Sequence, residues 1–179
     1  VEKLQQNSSV VEYIDTQEDK LTHEETEKQR YKNTYFINNK DIDENTDPNI
    51  LFNIGKYYKN IEKNYDMMKK YLMMAIDKGN NNGMNCLGHY YFQIEKDYEN
   101  AKKYLMMAID KGNVGAMNCL GLYYSNIEKN YDMMKKYYLM AIEKGNDYAM
   151  NNLGFHYYQR EKNYDEMKKY YIMAIEKGH

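Results

Sequence analysis

The chain is 179 residues long, 29% charged and 42% hydrophobic, with a formal net charge of −2. That balance excludes a strongly basic nucleic-acid-binding protein on charge alone, although not a local basic patch. No run of about 18 apolar residues is present, so no membrane-spanning helix is expected.

The charge is unevenly placed. Residues 1–50 carry 12 acids and 6 bases, whereas the remainder carries 15 acids and 19 bases. The chain opens on Val1 with no signal-peptide pattern, as a fragment would. Residues 1–48 lack the repeat described below and form an acidic N-terminal arm. Its first 20 residues are polar apart from Val10, Val11, Tyr13 and Ile14. They read as an extended or partly disordered segment: an arm that binds a partner or exchanges between copies, or a plain tail. Thr22-His23-Glu24-Glu25 has the pattern of a capping box. It predicts a helix near 23–37, with Tyr31, Tyr35 and Phe36 able to pack on the first repeat.

Residues 49–179 hold one cassette written four times. Gly55, Gly88, Gly121 and Gly154 are 33 residues apart, as are Gly79, Gly112, Gly145 and Gly178. A fixed period in this range marks a solenoid. Two stretches, 60–71 and 126–137, are identical, which points to duplication within the gene. In the third copy Met117, Leu120, Gly121 and Tyr124 fall on one face of a first helix. A mid-helix glycine costs about 1 kcal/mol relative to alanine, so its recurrence predicts close helix–helix approach. A short polar joint follows, and Asn130 is the expected N-cap of the second helix, with Asn64, Asp97 and Asn163 as counterparts. Met134, Tyr138, Ala141 and Ile142 form the second apolar stripe, and Gly145 supplies a left-handed C-cap. Each copy is thus a helical hairpin whose seam needs a neighbour to bury it. The expectation is an all-α, right-handed solenoid of four stacked hairpins.

Cys86 and Cys119 occupy one repeat position. Equivalent positions in stacked hairpins lie about 10 Å apart, too far for a disulfide. Reduced thiols in a cytoplasmic protein follow.

The order Ala-x-x-x-Leu-Gly-x-x-Tyr, then Tyr98, Ala101, Tyr104, Ala108 and Gly112 in the second copy, resembles a tetratricopeptide repeat. The Ala-Ile-x-Lys-Gly ending and the Leu-Gly-x-x-Tyr opening resemble the Sel-one-like subclass. With its Asn-, Tyr- and Met-rich style, the chain is similar to repeat proteins of large amoeba-infecting DNA viruses, which would place it in host cytoplasm. The resemblance implies a scaffold or adaptor, in ubiquitin-ligase, chaperone or signalling assemblies. It also implies that the other face of each first helix lines a concave groove.

That face carries Asn85, His89 and Phe92 in the second copy, Asn118, Leu122 and Ser125 in the third, and Asn151, Phe155 and Tyr158 in the fourth. Asn offers both a donor and an acceptor, so a row of asparagines suits a peptide backbone, with the variable positions selecting side chains. The alternative is that the asparagines bond the adjacent hairpin. The lysine pairs 69–70, 102–103, 135–136 and 168–169 read as a solvated face balanced by Glu62, Glu95, Glu128 and Glu161, or less simply as a phosphate track. Outward methionines such as Met106 and Met140 offer a sticky patch.

His23, His89, His156 and His179 are scattered, and Cys86-x-x-His89 lacks the second half of a metal site. No phosphate-binding loop or nucleophile elbow occurs. No catalytic residue, cofactor or metal site is expected, and the function read from the sequence is protein or peptide binding. Self-assembly through the arm or an open last repeat is the alternative, and RNA binding a weaker one.

Overall fold

The computed structural model of the chain describes residues 42, 43 and 45–177. The polar segment 1–20, the helix expected near 23–37, and Gly178 lie outside them. Eight α-helices and no strand occur among the described residues. The chain divides into two compact units, residues 1–71 and 72–179.

In the first unit, α1 (Pro48–Asn60) begins under Asp47, whose side chain accepts from the Asn49 N–H at 2.7 Å. Pro48 suits that first position because its missing N–H has no helical partner there. Leu51, Ile54 and Tyr57 are buried, and the Tyr57 hydroxyl donates to Glu62. Asn64 then caps α2 (Tyr65–Asp77), whose residues from Leu72 on belong to the second unit, by accepting from the Met67 N–H at 3.0 Å.

The second unit holds three hairpins: α3 (Asn81–Tyr90) with α4 (Tyr98–Asp110), α5 (Val114–Tyr123) with α6 (Tyr131–Glu143), and α7 (Asp147–His156) with α8 (Tyr164–Glu176). Leu105, Leu120, Met134, Tyr138 and Leu153 are buried in one continuous core. Burying such a side chain is worth about 1.5–3 kcal/mol, so successive seams bind the hairpins together. Asp97, Asn130 and Asn163 cap the second helices, accepting from the N–H three residues on at 3.0 to 3.1 Å. Gly112 and Gly145 end α4 and α6 at φ of 79° and 81°, a conformation that suits glycine.

Each first helix of the second unit ends by widening into a π-helical turn, at Tyr91–Glu95, Tyr124–Glu128 and Tyr157–Glu161. The chain then reverses through Lys96, Lys129 and Lys162, with φ of 59°, 54° and 53°. A tyrosine at the turn stacks on one in the second helix of its own hairpin: Tyr91 on Tyr104, Tyr124 on Tyr137 and Tyr157 on Tyr170, with planes within 11°. Offset stacking of this kind adds about 0.5–1.5 kcal/mol beyond area burial. It clamps each hairpin at its joint.

Neighbouring hairpins are tied by polar contacts as well. Lys102 Nζ meets Glu128 at 2.7 Å and Lys135 Nζ meets Glu161 at 2.6 Å. Asn113 Nδ2 donates to Asn82 Oδ1 at 3.0 Å, and Asn81 Nδ2 donates to the Lys111 carbonyl at 3.3 Å. Two of the lysines read as a stripe are therefore inter-hairpin struts. No disulfide joins Cys86 and Cys119.

Candidate functional site

The turn that follows α5 and the turn that follows α7 differ from their repeat equivalents, and a groove opens between them. It holds about 300 Å³. Leu122, Ser125, Asn126 and Lys129 line one wall; Asn152, Phe155, His156, Gln159 and Arg160 line the other, over the buried Tyr138. Phe155 is 56% exposed, an unusual position for a large ring with no core to fill. Arg160 lies over the Tyr131 ring at 5.7 Å, which fixes the guanidinium beside the groove.

His156 stands where Tyr57, Tyr90 and Tyr123 stand in the other copies. Tyr90 donates to Glu95 at 2.8 Å; His156 Nε2 meets Glu161 at 3.0 Å. It also packs against the Tyr131 ring, with centroids 5.2 Å apart. The Glu161 carboxyl is held below its ordinary range, first by the Lys135 hydrogen bond and then by His156. Glu161 is thus already engaged, and no carboxylate lines the groove. Lys129 and Arg160 give it a positive edge.

Of the residues expected from the sequence to form a site, the structure gathers Leu122, Ser125 and Phe155 in this groove. Tyr158 lies at the surface, with Lys162 5.7 Å above its ring and Tyr164 beside it. Asn118 accepts from Asn152 Nδ2 at 2.9 Å, so its oxygen joins adjacent hairpins. Asn85 and Asn151 are half-buried outside the groove, and the Asn85 Oδ1 is buried without a hydrogen-bond partner. His89 is half-buried outside it as well. Phe92 belongs to the core: it is 5% exposed and packs on Tyr98 and on Tyr123 of the next hairpin. The aromatic ring gains more from that contact than from water.

Asn126, Lys129, Asn152, His156, Gln159 and Arg160 were not anticipated. The sequence shows 127–130 only as a short polar joint. The signal for two of them was present as a break in the repeat: Arg160 stands where Ile61, Ile94 and Ile127 stand, and His156 where three tyrosines stand.

Several solved structures superpose on the chain. The Sel1 repeat protein from Oxalobacter formigenes does so with a TM-score of 0.62 and 22% identity, over 74% of this chain and 59% of its own. The c5321 protein, a protective antigen of uropathogenic Escherichia coli strains displaying an SLR fold, gives 0.63 and 21%, over 74% of this chain and 31% of its own. The fold is that of a Sel1-like helical-repeat solenoid. Immunity protein Pa5087 from Pseudomonas aeruginosa matches at 0.51 and 19%, over 73% of this chain and 58% of its own. The chain spans less than two thirds of the length of each of these three structures. No family model and no curated protein matches it.

Among the described residues no helix is long and apolar enough to cross a membrane. Nor do three or more His, Cys, Asp or Glu side chains gather there as a metal site would need.

Proposed function

We propose that the chain is a non-enzymatic binding module that holds a peptide in the groove between its last two hairpins. The observation that carries this reading is the coincidence of the groove with the departures from the repeat. Where the copies agree, side chains pack on one another. Where the fourth copy departs, at Phe155, His156 and Arg160, the side chains line an open concavity. The lining is mostly polar, with Leu122, Tyr138 and Phe155 as its apolar part.

The lining defines the ligand's chemistry. Leu122 and Phe155 suit an apolar side chain. Asn126, Asn152 and Gln159 can each donate to or accept from a peptide backbone. Lys129 and Arg160 suit a carboxylate, with Arg able to bind it through two hydrogen bonds. The ligand is therefore an acidic peptide with one apolar anchor. In this reading the module presents that peptide to a larger assembly, ubiquitin-linked or, following the viral resemblance of its sequence, host-remodelling.

Panning a random peptide display library on the whole chain, with Phe155→Ala and Arg160→Ala as counter-screens, tests this. Enriched peptides should pair an acidic residue with an apolar one. Each substitution should weaken them at least about tenfold, equivalent to about 1.4 kcal/mol. Peptides that bind wild type and both variants alike would place the site elsewhere, and no enrichment would end the reading.

A further inference from the structure

A second feature lies on the second helices. Met73, Met106, Leu139 and Ile172 occupy one repeat position. They are 43%, 44%, 41% and 50% exposed. Single exposed apolar residues are ordinary, but here every copy exposes one at the same place. The residue itself has changed between copies, from Met to Leu to Ile, and its character has not. At the groove the reverse holds: His89, Leu122 and Phe155 share a repeat position and differ in chemistry.

The apolar position has charged neighbours on the same helix face. Three residues before it stand Lys103 and Lys136; four residues after it stand Asp110 and Glu143. All four are exposed. Lys103 and Lys136 rest over the rings of Tyr104 and Tyr137, at 5.6 Å each. Among the described residues none of the four forms an ion pair, in contrast to Lys102 and Lys135 one residue earlier. Because each hairpin repeats the same contacts to the next, these positions fall in three parallel rows: basic, apolar, acidic. With a rise of about 1.5 Å per residue, the basic and acidic rows lie about 4.5 Å and 6 Å to either side of the apolar one.

That order is self-complementary in one arrangement. We infer that this face binds a second copy of the chain about a two-fold axis running along the apolar row. Such an axis reverses the helix direction. It sets each apolar side chain against its own equivalent, and each basic row against the partner's acidic row. A two-fold axis along the helices would instead set lysine against lysine, and like charges opposed at close range are costly. A uniformly acidic or basic partner would match only one row. Isologous two-fold pairing is also the commonest mode of self-association.

Charge reversal tests this on the full chain by analytical ultracentrifugation. Wild type should shift from monomer to dimer as concentration rises. Lys103→Glu with Lys136→Glu turns the two central positions of the basic row acidic, and Asp110→Lys with Glu143→Lys turns the two central positions of the acidic row basic. Each double variant alone should associate at least about tenfold more weakly. An equimolar mixture of the two should recover the dimer, because acidic rows then face basic ones. Recovery also shows that both variants are folded. The proposal is overturned if wild type stays monomeric throughout, or if the mixture does. It is overturned equally if each variant dimerises as wild type does, which would move self-association to the N-terminal arm or another face. Peptide binding in the groove is read separately and is untouched by any of these outcomes.

Discussion

Gly121 lies so close to the Tyr138 ring that a Cβ added to it would fall 2.5 Å from both Cδ1 and Cε1. Real side chains do not tolerate that distance, and the ring is buried on its other sides. The two helices of the hairpin touch because this position has no side chain. Gly121→Ala should therefore destabilise the chain by about 1–3 kcal/mol, despite alanine's better helix propensity. Gly154→Ala should cost less, since its added Cβ would meet the half-buried Tyr171 ring at 3.0 Å. Urea denaturation of the two variants checks the order. Equal costs would mean that the Tyr138 ring can move aside.

Asn113 has two tasks. Its Oδ1 caps α5 by accepting from the Ala116 N–H at 3.0 Å, and its Nδ2 donates to Asn82 on the preceding hairpin. Loss of an N-cap costs about 0.5–2 kcal/mol. Asn113→Ala should fall in the upper part of that range. Asn113→Asp keeps the cap and loses the donor, so it should fall in the lower part. Thermal unfolding followed by circular dichroism separates the two contributions; identical melting curves for both variants would assign the whole effect to one of them.

Lys96 turns the joint at φ 59°, where an L-residue pays about 1–2 kcal/mol. Glycine escapes that steric cost but adds about 0.5–1 kcal/mol of unfolded-state entropy. Lys96→Gly should therefore be neutral or stabilising, by up to about 1.5 kcal/mol. A clear loss of stability in chemical denaturation would show that the Lys96 side chain, not its backbone, holds the joint.

Stability should fall at both ends of the pH scale. The Glu128 and Glu161 carboxyls are held below the ordinary 4.5 by hydrogen bonds from Lys102 and Lys135. Their contribution is complete above pH 4.5 and is lost as pH falls through the lowered folded values. Both pairs are about one-third exposed, so each is worth only about 0.2–1 kcal/mol. At the other end, burial pushes the Tyr138 and Tyr123 hydroxyls above the ordinary 10. That contribution is complete below pH 10 and is lost as pH rises through the raised folded values. Urea midpoints measured against pH should trace this dome. Glu128→Gln should flatten its acid limb and also weaken the alkaline limb, because Glu128 helps to raise Tyr123 and Lys102; an unchanged acid limb would show that the Lys102–Glu128 strut carries no stability.

The caps and the core were legible because they rest on local chemistry. Asn130 bonds an N–H three residues on, Gly145 needs only its own φ, and Met117, Leu120 and Gly121 face inward through helical spacing alone. The caps of the first helices, Asn80, Asn113 and Asn146, rest on the same local chemistry. Each directly follows a C-cap glycine. The site was less visible. Leu122 and Phe155 lie within the α-helical part of the first helices, whereas Phe92, Ser125 and Tyr158 lie beyond it. Past Tyr91, Tyr124 and Tyr157 the backbone widens into a π turn, and a 3.6-residue count no longer says which way a side chain points.

Period, hairpin and seam were therefore written in the 33-residue pattern, since hydrophobic spacing and capping act within a turn or two of the chain. Which polar faces stay open was decided elsewhere. Phe92 is core because Tyr123 of the next hairpin covers it. Lys102 is spent on Glu128 while Lys103 beside it is not. The groove exists because Phe155, His156 and Arg160 meet Leu122 and Lys129 across two hairpins. Each outcome depends on residues about 26 to 38 positions apart in sequence, brought together only when one hairpin stacks on the next.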